Sequence, residues 1–419
     1  MKFLVLTQFF PPETGAPQTR LSEFTQNLVK LGHEVEVLTA MPHYPAGKIS
    51  KAYQNKFYVK EDYKGIPTHR VWLYAAQGKS IQRLMCYLSF TLTALFGLFV
   101  CKKPDYIFIN SGPLFLSLTG RIFSVIWNRP VLFNVADLWP RSVEQLSGTG
   151  GFGLLKKLAL ALESWSYKKA KFVTAVTEGI KTILLTEKIV PEAKVLFLPN
   201  GVNTDLYNPH NPNLNAEQLR HKLNLKDKFI FIYSGNHGFA HALDNILNAA
   251  KIIQNQLQQD ALLEKIHFLF VGDGSDKTRL LQIKEDLQLK NVSFLDPVSQ
   301  DILVEYLHAA DVGLINIRNT HLANETRPAK MFPMMSMEKP ILFAGFGEGA
   351  DIIKNCNGGL VIEPENSISL AYSCIEIFKN SEKFKLMGAN NRKFVIEHLQ
   401  FKSIVQSWLN ELQKKSEPN

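Results

Sequence analysis

Two successive series of short, uninterrupted apolar runs constrain what this chain can fold into. The first series occupies residues 3–7, 35–39, 106–110, 131–135, 172–176 and 195–198. The second occupies 229–234, 267–271, 292–295, 312–317, 340–344 and 360–362. A strand with one wet face alternates apolar and polar residues. Runs that do not alternate suit parallel strands covered on both faces. Helix-like stretches, such as 18–31 and 153–170, fill the gaps between several runs. Strands alternating with helices imply a doubly wound parallel sheet. Residues 199–213 are rich in Pro, Asn and Gly and interrupt the pattern, which puts a domain boundary there. A chain of 419 residues is also too long for one ordinary core. The expected organisation is a Rossmann-like domain over 1–200 and a second over 201–385. The closing helical stretches, 386–419, are expected to pack back toward the first.

The formal charge is +9. Such a charge fits either a soluble protein that is merely basic or one with an anionic partner: nucleic acid, acidic lipid or a phosphorylated substrate. No zinc knuckle, basic helix or RNP-like aromatic motif occurs, so no nucleic-acid partner is expected. The four cysteines, Cys86, Cys101, Cys356 and Cys374, lack CxxC spacing and read as free thiols of a reducing compartment. Residues 1–7 carry no cleavage site and read as a first strand rather than a leader. The stretch from Leu84 to Cys101 holds 18 residues without a charge, bracketed by Arg83 and by Lys102 and Lys103. A membrane span there would put strands of one sheet on opposite sides of a bilayer. Two readings remain: a helix buried against the sheet, or one partly sunk in a lipid interface with its cations on headgroup phosphates. Aromatic and basic residues upstream (Tyr53, Lys56, Phe57, Tyr58, Tyr63, Lys64, Trp72, Tyr74, Lys79) fit the second.

Ligands of doubly wound sheets bind beyond the carboxyl ends of the strands, so the loops there carry the candidate chemistry. Residues 9–17 follow the first strand; Gly15 lets the backbone approach a ligand, and Pro17 suits a first helical turn. The loop Gly235, Asn236, His237, Gly238 occupies the same place in the second series, where N–H groups can cradle a diphosphate. Gly272, Asp273 and Gly274 form another tight turn after the next strand. Asp137 ends a first-domain strand, where it projects toward a ligand or serves as a turn residue. His43 follows a strand between two prolines and is expected to be exposed, whereas His33 reads as a helix-end turn. Glu325, Arg327 and Lys330 lie within six residues, ahead of an apolar helical run. A carboxylate for hydroxyls beside two cations at a helix N-terminus suits a nucleotide-linked sugar. No HExxH, GxSxG, P-loop or Asp-x-Asp occurs, so no metal and no cofactor are expected, and the positive charge must come from the protein.

In order and spacing these pieces resemble the GT-B glycosyltransferases of family 4, the retaining nucleotide-sugar enzymes. Residues 10–15, 31–39, 137–140, 199–202, 234–238 and 271–274 carry the resemblance, which spans nearly the whole chain. It is strongest to the bacterial O-antigen and colanic-acid branch that includes N-acetyl-L-fucosamine transferases. The resemblance implies two Rossmann-like domains facing across a cleft. It implies that Gly15 sits by the donor phosphates or the acceptor, and that the loop Gly235–Gly238 approaches the diphosphate. Asp273 and residues 294–298 would lie beside the base, and Arg327 and Lys330 would neutralise the leaving diphosphate. The family pairs two glutamates seven residues apart. Glu325 matches the first, which contacts the transferred sugar; Pro333 stands at the second, and Glu338 stands where a glycine is usual.

The implied activity is metal-independent, retaining transfer of a sugar, an N-acetylated hexosamine or deoxyhexosamine, from a UDP-linked donor. The acceptor would be a lipid-diphosphate-linked saccharide in O-antigen or capsule assembly. The chain would be cytoplasmic, touching the inner membrane face through the stretch from Leu84 to Cys101. Glu325, Asp137 and His43 are the candidate catalytic residues. Departure of a nucleoside diphosphate builds negative charge that fixed cations stabilise. Front-face attack needs no nucleophilic carboxylate, unlike a retaining glycosidase. Two alternatives stand beside this reading. A nucleotide-sugar epimerase of similar architecture would need further acids or bases. A non-catalytic sugar-nucleotide-binding paralogue is the reading that Pro333 favours.

Overall fold

A computed structural model describes residues 1–13, 15–44, 46–76, 81–138, 153–319 and 327–417. Glu325 lies outside the described residues, as do Lys79, Trp139 and Pro140. The chain forms two compact units, Met1–Asn200 with Phe401–Asn419, and Gly201–Gln400. The closing stretch divides between them at residues 400 and 401, not at 385 and 386. The helix Ser381–His398 belongs to the second unit and the helix Phe401–Ser416 to the first.

The first unit holds β1 (Lys2–Leu6), β2 (Glu34–Ala40), β3 (Tyr58–Tyr63), β4 (Ile66–Val71), β5 (Tyr106–Asn110), β6 (Val131–Val135), β7 (Phe172–Ala175) and β8 (Val195–Phe197). They form one sheet in the order β3-β4-β2-β1-β5-β6-β7-β8, parallel except for the β3–β4 pair. Alternate residues of β1 enter separate cores: Leu4 and Leu6 on one face, Phe3 and Val5 on the other. Both faces are covered, which is why the run never alternates in polarity. The β3–β4 hairpin escaped the reading of apolar runs. Its strands, Tyr58–Tyr63 and Ile66–Val71, are mixed in polarity because β3 is the sheet edge. The signal was the two-residue turn Lys64-Gly65, both at positive φ (52° and 82°), a turn whose twist matches the paired strands. Tyr58, Tyr63 and Lys64, read above as candidate lipid contacts, thus belong to this hairpin.

The helix Phe401–Ser416 covers the second core of this unit with Phe401, Val405, Trp408, Leu409 and Leu412, one helical stripe. Trp408 is 1 % exposed, edge-on to Phe24 at 5.4 Å and to Phe108 at 6.0 Å.

The second unit holds β9 (Phe229–Ser234), β10 (Ile266–Val271), β11 (Val292–Leu295), β12 (Val312–Asn316), β13 (Ile341–Ala344) and β14 (Gly359–Ile362). All pairs are parallel, in the order β11-β10-β9-β12-β13-β14. Strand order reverses between β9 and β12, and in the first unit between β1 and β5. Such switch points open a crevice at the carboxyl ends of the strands.

The run from Leu84 is helical from Ile81 to Val100, with a tighter turn over Ala94–Phe96, and is long and apolar enough to cross a bilayer by length and composition. Only 28 % of its most apolar window is buried. Cys86, Phe90, Ala94 and Gly97 face the protein, while Ile81, Met85, Leu92 and Phe99 are exposed. Neither a wholly buried nor a wholly exposed helix describes it.

Candidate functional site

Beyond the carboxyl ends of β9 and β10, two glycine turns interlock. The Gly235 N–H donates to the Val271 carbonyl at 2.9 Å, and the His237 N–H to the Asp273 carbonyl at 2.8 Å. Gly272 adopts φ +150°, and a Cβ there would lie 2.0 Å from the Gly235 carbonyl oxygen, so no other residue fits. The Asp276 N–H closes the lattice on the His237 carbonyl at 2.9 Å. Gly235 and Asn236 are exposed; His237 and Gly238 are buried. Asp273 is exposed and accepts the Gly274 N–H at 2.8 Å.

Lys330 comes to this lattice from just before the helix Met331–Ser336. Its ammonium donates to the Tyr233 hydroxyl and stands 4.1 Å from the centre of that ring. The Tyr233 hydroxyl in turn donates to the Asn236 carbonyl at 2.8 Å. A Cβ on Gly235, at φ +124°, would be 3.4 Å from Lys330 Nζ, so the cation lies against the exposed end of the loop. Burial pulls its pKa down to about 7. Burial first, then the charges of Lys277 and Lys330, lowers the His237 pKa to about 4, and burial, then Lys330, lowers that of His241 to about 2, so both rings are neutral. The region is electropositive: the Lys330 ammonium lies against the loop, and the Lys277 ammonium, paired to Asp296 at 2.9 Å, donates to the Gly272 carbonyl at 3.1 Å, both beside a switch point. This arrangement can hold a diphosphate and stabilise the charge that develops when it leaves.

Two expectations change here. His237 was grouped with the donor-binding residues, but its ring is fully buried among Tyr233, Phe270 and Phe294. Neither ring nitrogen has a hydrogen-bond partner among the described residues. The main chain of His237, not its imidazole, builds the turn. Arg327 is 7 % exposed at its side chain, 3.2 Å from Glu348 Oε1, with its guanidinium 4.9 Å from the Phe332 ring centre. Its charge is engaged by the first turn of the helix Glu348–Asn355. Pro333 occupies the first turn of Met331–Ser336 on its partly exposed side, where a proline costs no hydrogen bond. Glu338 takes the left-handed conformation, φ 57°, that ends this helix. A glycine is more comfortable there.

In the first unit, His43 is not exposed. It is 5 % accessible, because Glu13 folds over the loop and accepts the N–H groups of His43 and Tyr44, each at 2.7 Å. His43 Nε2 lies 3.2 Å from Gln8 Nε2 and 3.9 Å from Cys86 Sγ. Burial raises the Glu13 carboxyl, against the opposing pull of His43. Arg70, on β4, reaches the same loop through the Pro11 carbonyl and pairs with Glu61 at 2.6 Å. The loop after β1 is therefore pinned from three sides. Gly15 follows it with an extended backbone, φ 161°, and a Cβ there would meet Gln18 Oε1 at 2.5 Å. Asp137, just past β6, is exposed, and partial desolvation by surrounding protein pushes its carboxyl up to about 6.

Arg20 was missed. One turn into the helix Ala16–Lys30, it donates to the Leu198 carbonyl at 2.9 Å and reaches Asn134 Oδ1 at 3.4 Å. Its Nε and Nη1 are buried without partners among the described residues, and burial lowers its pKa to about 10. Its five-residue distance from Gly15 was the available signal. Nothing local showed that β6 and β8 would end beside it.

Comparison with known proteins agrees with this geometry. Residues 15–201 match the glycosyl transferase 4-like domain, and residues 215–394 match the glycosyl transferases group 1. The chain is 28 % identical over 346 residues to the putative colanic acid biosynthesis glycosyl transferase WcaI of Escherichia coli K12, covering 80 % of this chain and 81 % of that protein. Its fold is similar to Anabaena HepE in complex with UDP-glucose (TM-score 0.71, 16 % identity, 99 % of this chain and 100 % of that one). It is also similar to sucrose-phosphate synthase from Thermosynechococcus elongatus (TM-score 0.72, 15 % identity, 99 % and 98 %). With two parallel doubly wound units and a family model matched over each, the chain belongs to the GT-B glycosyltransferases of the GT4-like and group 1 families.

Proposed function

We propose that this glycosyltransferase moves an N-acetylated hexosamine or deoxyhexosamine from a UDP-linked donor to a lipid-diphosphate-linked saccharide, with retention and without a metal, in surface polysaccharide assembly. The observation that carries the reading is Lys330 held by Tyr233 against the exposed Gly235–Asn236 turn, a fixed cation beyond the carboxyl end of β9. UDP as the nucleotide is supported by the UDP-glucose complex of HepE, and the polysaccharide setting by the colanic acid assignment of WcaI. In this reading Glu325 contacts the transferred sugar and Lys330 the diphosphate. Arg327 contributes its field while paired to Glu348. Gly235 and Asn236 approach the phosphates, and Asp273 borders the base. Asp137, with a carboxyl near neutrality, and Gly15 serve the acceptor side, and His43 positions the loop from beneath.

Membrane contact at the cytoplasmic face rests on two helices. The exposed residues Ile81, Met85, Leu92 and Phe99 are joined by Leu118, Ile122, Val125 and Ile126 on the helix Leu116–Trp127. The two helices are in contact, with Thr119 Oγ1 donating to the Thr91 carbonyl at 2.6 Å. Exposed Arg83, Lys102 and Lys103 flank this face and suit anionic headgroups. Incubation with radiolabelled UDP-sugars and membrane lipid extract tests the function: label entering the lipid phase supports transfer. An altered free nucleotide sugar identifies an epimerase. Donor binding without either product leaves the non-catalytic reading that Pro333 favours.

A further inference from the structure

Away from the donor site, three chemically distinct ligand groups converge in the first unit: the Glu36 carboxylate, a ring nitrogen of His69 and the Cys101 thiol. One ligand atom from each lies within 4.8 Å of the others, the only such group among the described residues. Glu36 is on β2, His69 on the neighbouring β4, and Cys101 follows the helix Gly97–Val100. We propose that these residues form a site for a divalent zinc-like cation.

The observation that separates this cluster from an ordinary ion pair is the state of His69. Its ring is 1 % exposed, and Nε2 has no hydrogen-bond partner among the described residues. Glu36 Oε2 stands 3.5 Å from it, near the spacing of two ligands on one ion rather than a short hydrogen bond. Neighbouring ligand atoms around tetrahedral zinc are ~3.3–3.6 Å apart, as the bond lengths require. The other ring nitrogen, Nδ1, is 2.8 Å from the Tyr58 hydroxyl. With Nδ1 protonated and donating to Tyr58, Nε2 presents its lone pair toward Glu36 and Cys101. Ligating histidines are oriented in this way by a partner on the far nitrogen. Glu36 is likewise held, since the Lys102 N–H donates to Oε2 at 3.0 Å. The Glu36 side chain is 15 % exposed, which gives an ion a path from solvent.

A thiolate, an imidazole and a carboxylate suit zinc better than magnesium or calcium, which prefer oxygen alone. On binding, the Cys101 thiol loses its proton to solvent, and sulfur, nitrogen and oxygen each donate a pair to the ion; water completes four-fold coordination. The ion would tie β2, β4 and the segment before β5 together, adding to the Lys102 N–H bond to Glu36 and the sheet pairing that already join them.

The test uses the full chain, freed of metal by chelation and titrated with Zn²⁺ or Co²⁺ alone. One ion binds per chain, cobalt gives a sulfur-to-metal charge-transfer band, and zinc raises the unfolding midpoint. Cys101→Ser, which keeps size and fold, abolishes the band; His69→Gln removes binding; Tyr58→Phe weakens it about tenfold. Equal zinc affinity in wild type, Cys101→Ser and His69→Gln would place the ion elsewhere and overturn the proposal, as would no binding at all. Glu36→Gln serves as the third ligand variant if His69→Gln does not fold.

Discussion

In the proposed reading Lys330 carries the electrostatics of the donor site, and its protonation would make UDP binding pH-dependent. Burial holds its pKa at about 7 against an ordinary 10.5. In the folded chain alone, a lowered cation pKa is a cost that is present in full below pH 7. It is relieved as pH rises toward 10.5, since the unfolded state binds the extra proton in that window. A diphosphate reverses the preference by favouring the charged ammonium. UDP binding at pH 8 is therefore expected to take up a proton, and the affinity to fall as pH rises from 7 to 9. Calorimetry in buffers of different ionisation enthalpy measures the proton directly. Lys330→Met should weaken UDP about tenfold or more, the ~1.5–3 kcal/mol of a charged hydrogen bond, and should flatten the pH profile. A profile unchanged by the substitution would move the diphosphate away from Lys330.

At the scale of elements, the helix Met331–Ser336 accommodates Pro333 in its first turn, at the position where the resembling family carries its second glutamate. Pro333 suits the first turn, so its cost is one absent carboxylate rather than lost stability. Pro333→Glu is expected to leave the unfolding midpoint within a degree or two, because an acid in a first turn contributes ~0.3–1 kcal/mol. It should tighten UDP binding several-fold if the ribose lacks a partner. An unchanged dissociation constant means that another group already holds the ribose hydroxyls. The apolar face shared by the helices Leu116–Trp127 and Ile81–Thr93 gives a second outcome at this scale. Leu92→Glu with Val125→Glu places charges at two exposed positions, 67 % and 63 % accessible. Co-sedimentation with anionic vesicles should drop at least tenfold while UDP affinity stays the same. Retained sedimentation would remove lipid as the occupant of this face.

At the scale of the whole molecule, the chain closes its first unit with its last helix. Trp408 is buried against Phe3, Phe24 and Phe108, and its indole reaches Thr174 Oγ1 at 3.4 Å. Trp408→Ala should cost ~3–5 kcal/mol. That loss falls on the first unit, whereas the glycine turns after β9 and β10, where UDP is proposed to bind, lie wholly in the second. Calorimetric scans with and without UDP are expected to show an early transition that ligand does not move and a later one that it does. A single transition shifted as a whole would mean that the two units unfold as one.

By itself the sequence determined the two strand series, the boundary near residue 200 and the glycine turns after β9 and β10. Each is written in local periodicity or in a backbone conformation that few residues adopt. Pro333 and Glu338 were legible too, as departures from a short motif. Tertiary structure alone decided the environment of each side chain. It buried His43 under Glu13 and the His237 ring under Phe270 and Phe294, and it paired Arg327 with Glu348. It also brought Arg20 to the end of β8 and gathered Glu36, His69 and Cys101 from positions tens of residues apart. Strand order sets those meetings. It arises from which buried faces pack together, a property of the whole sheet that no short window of sequence contains.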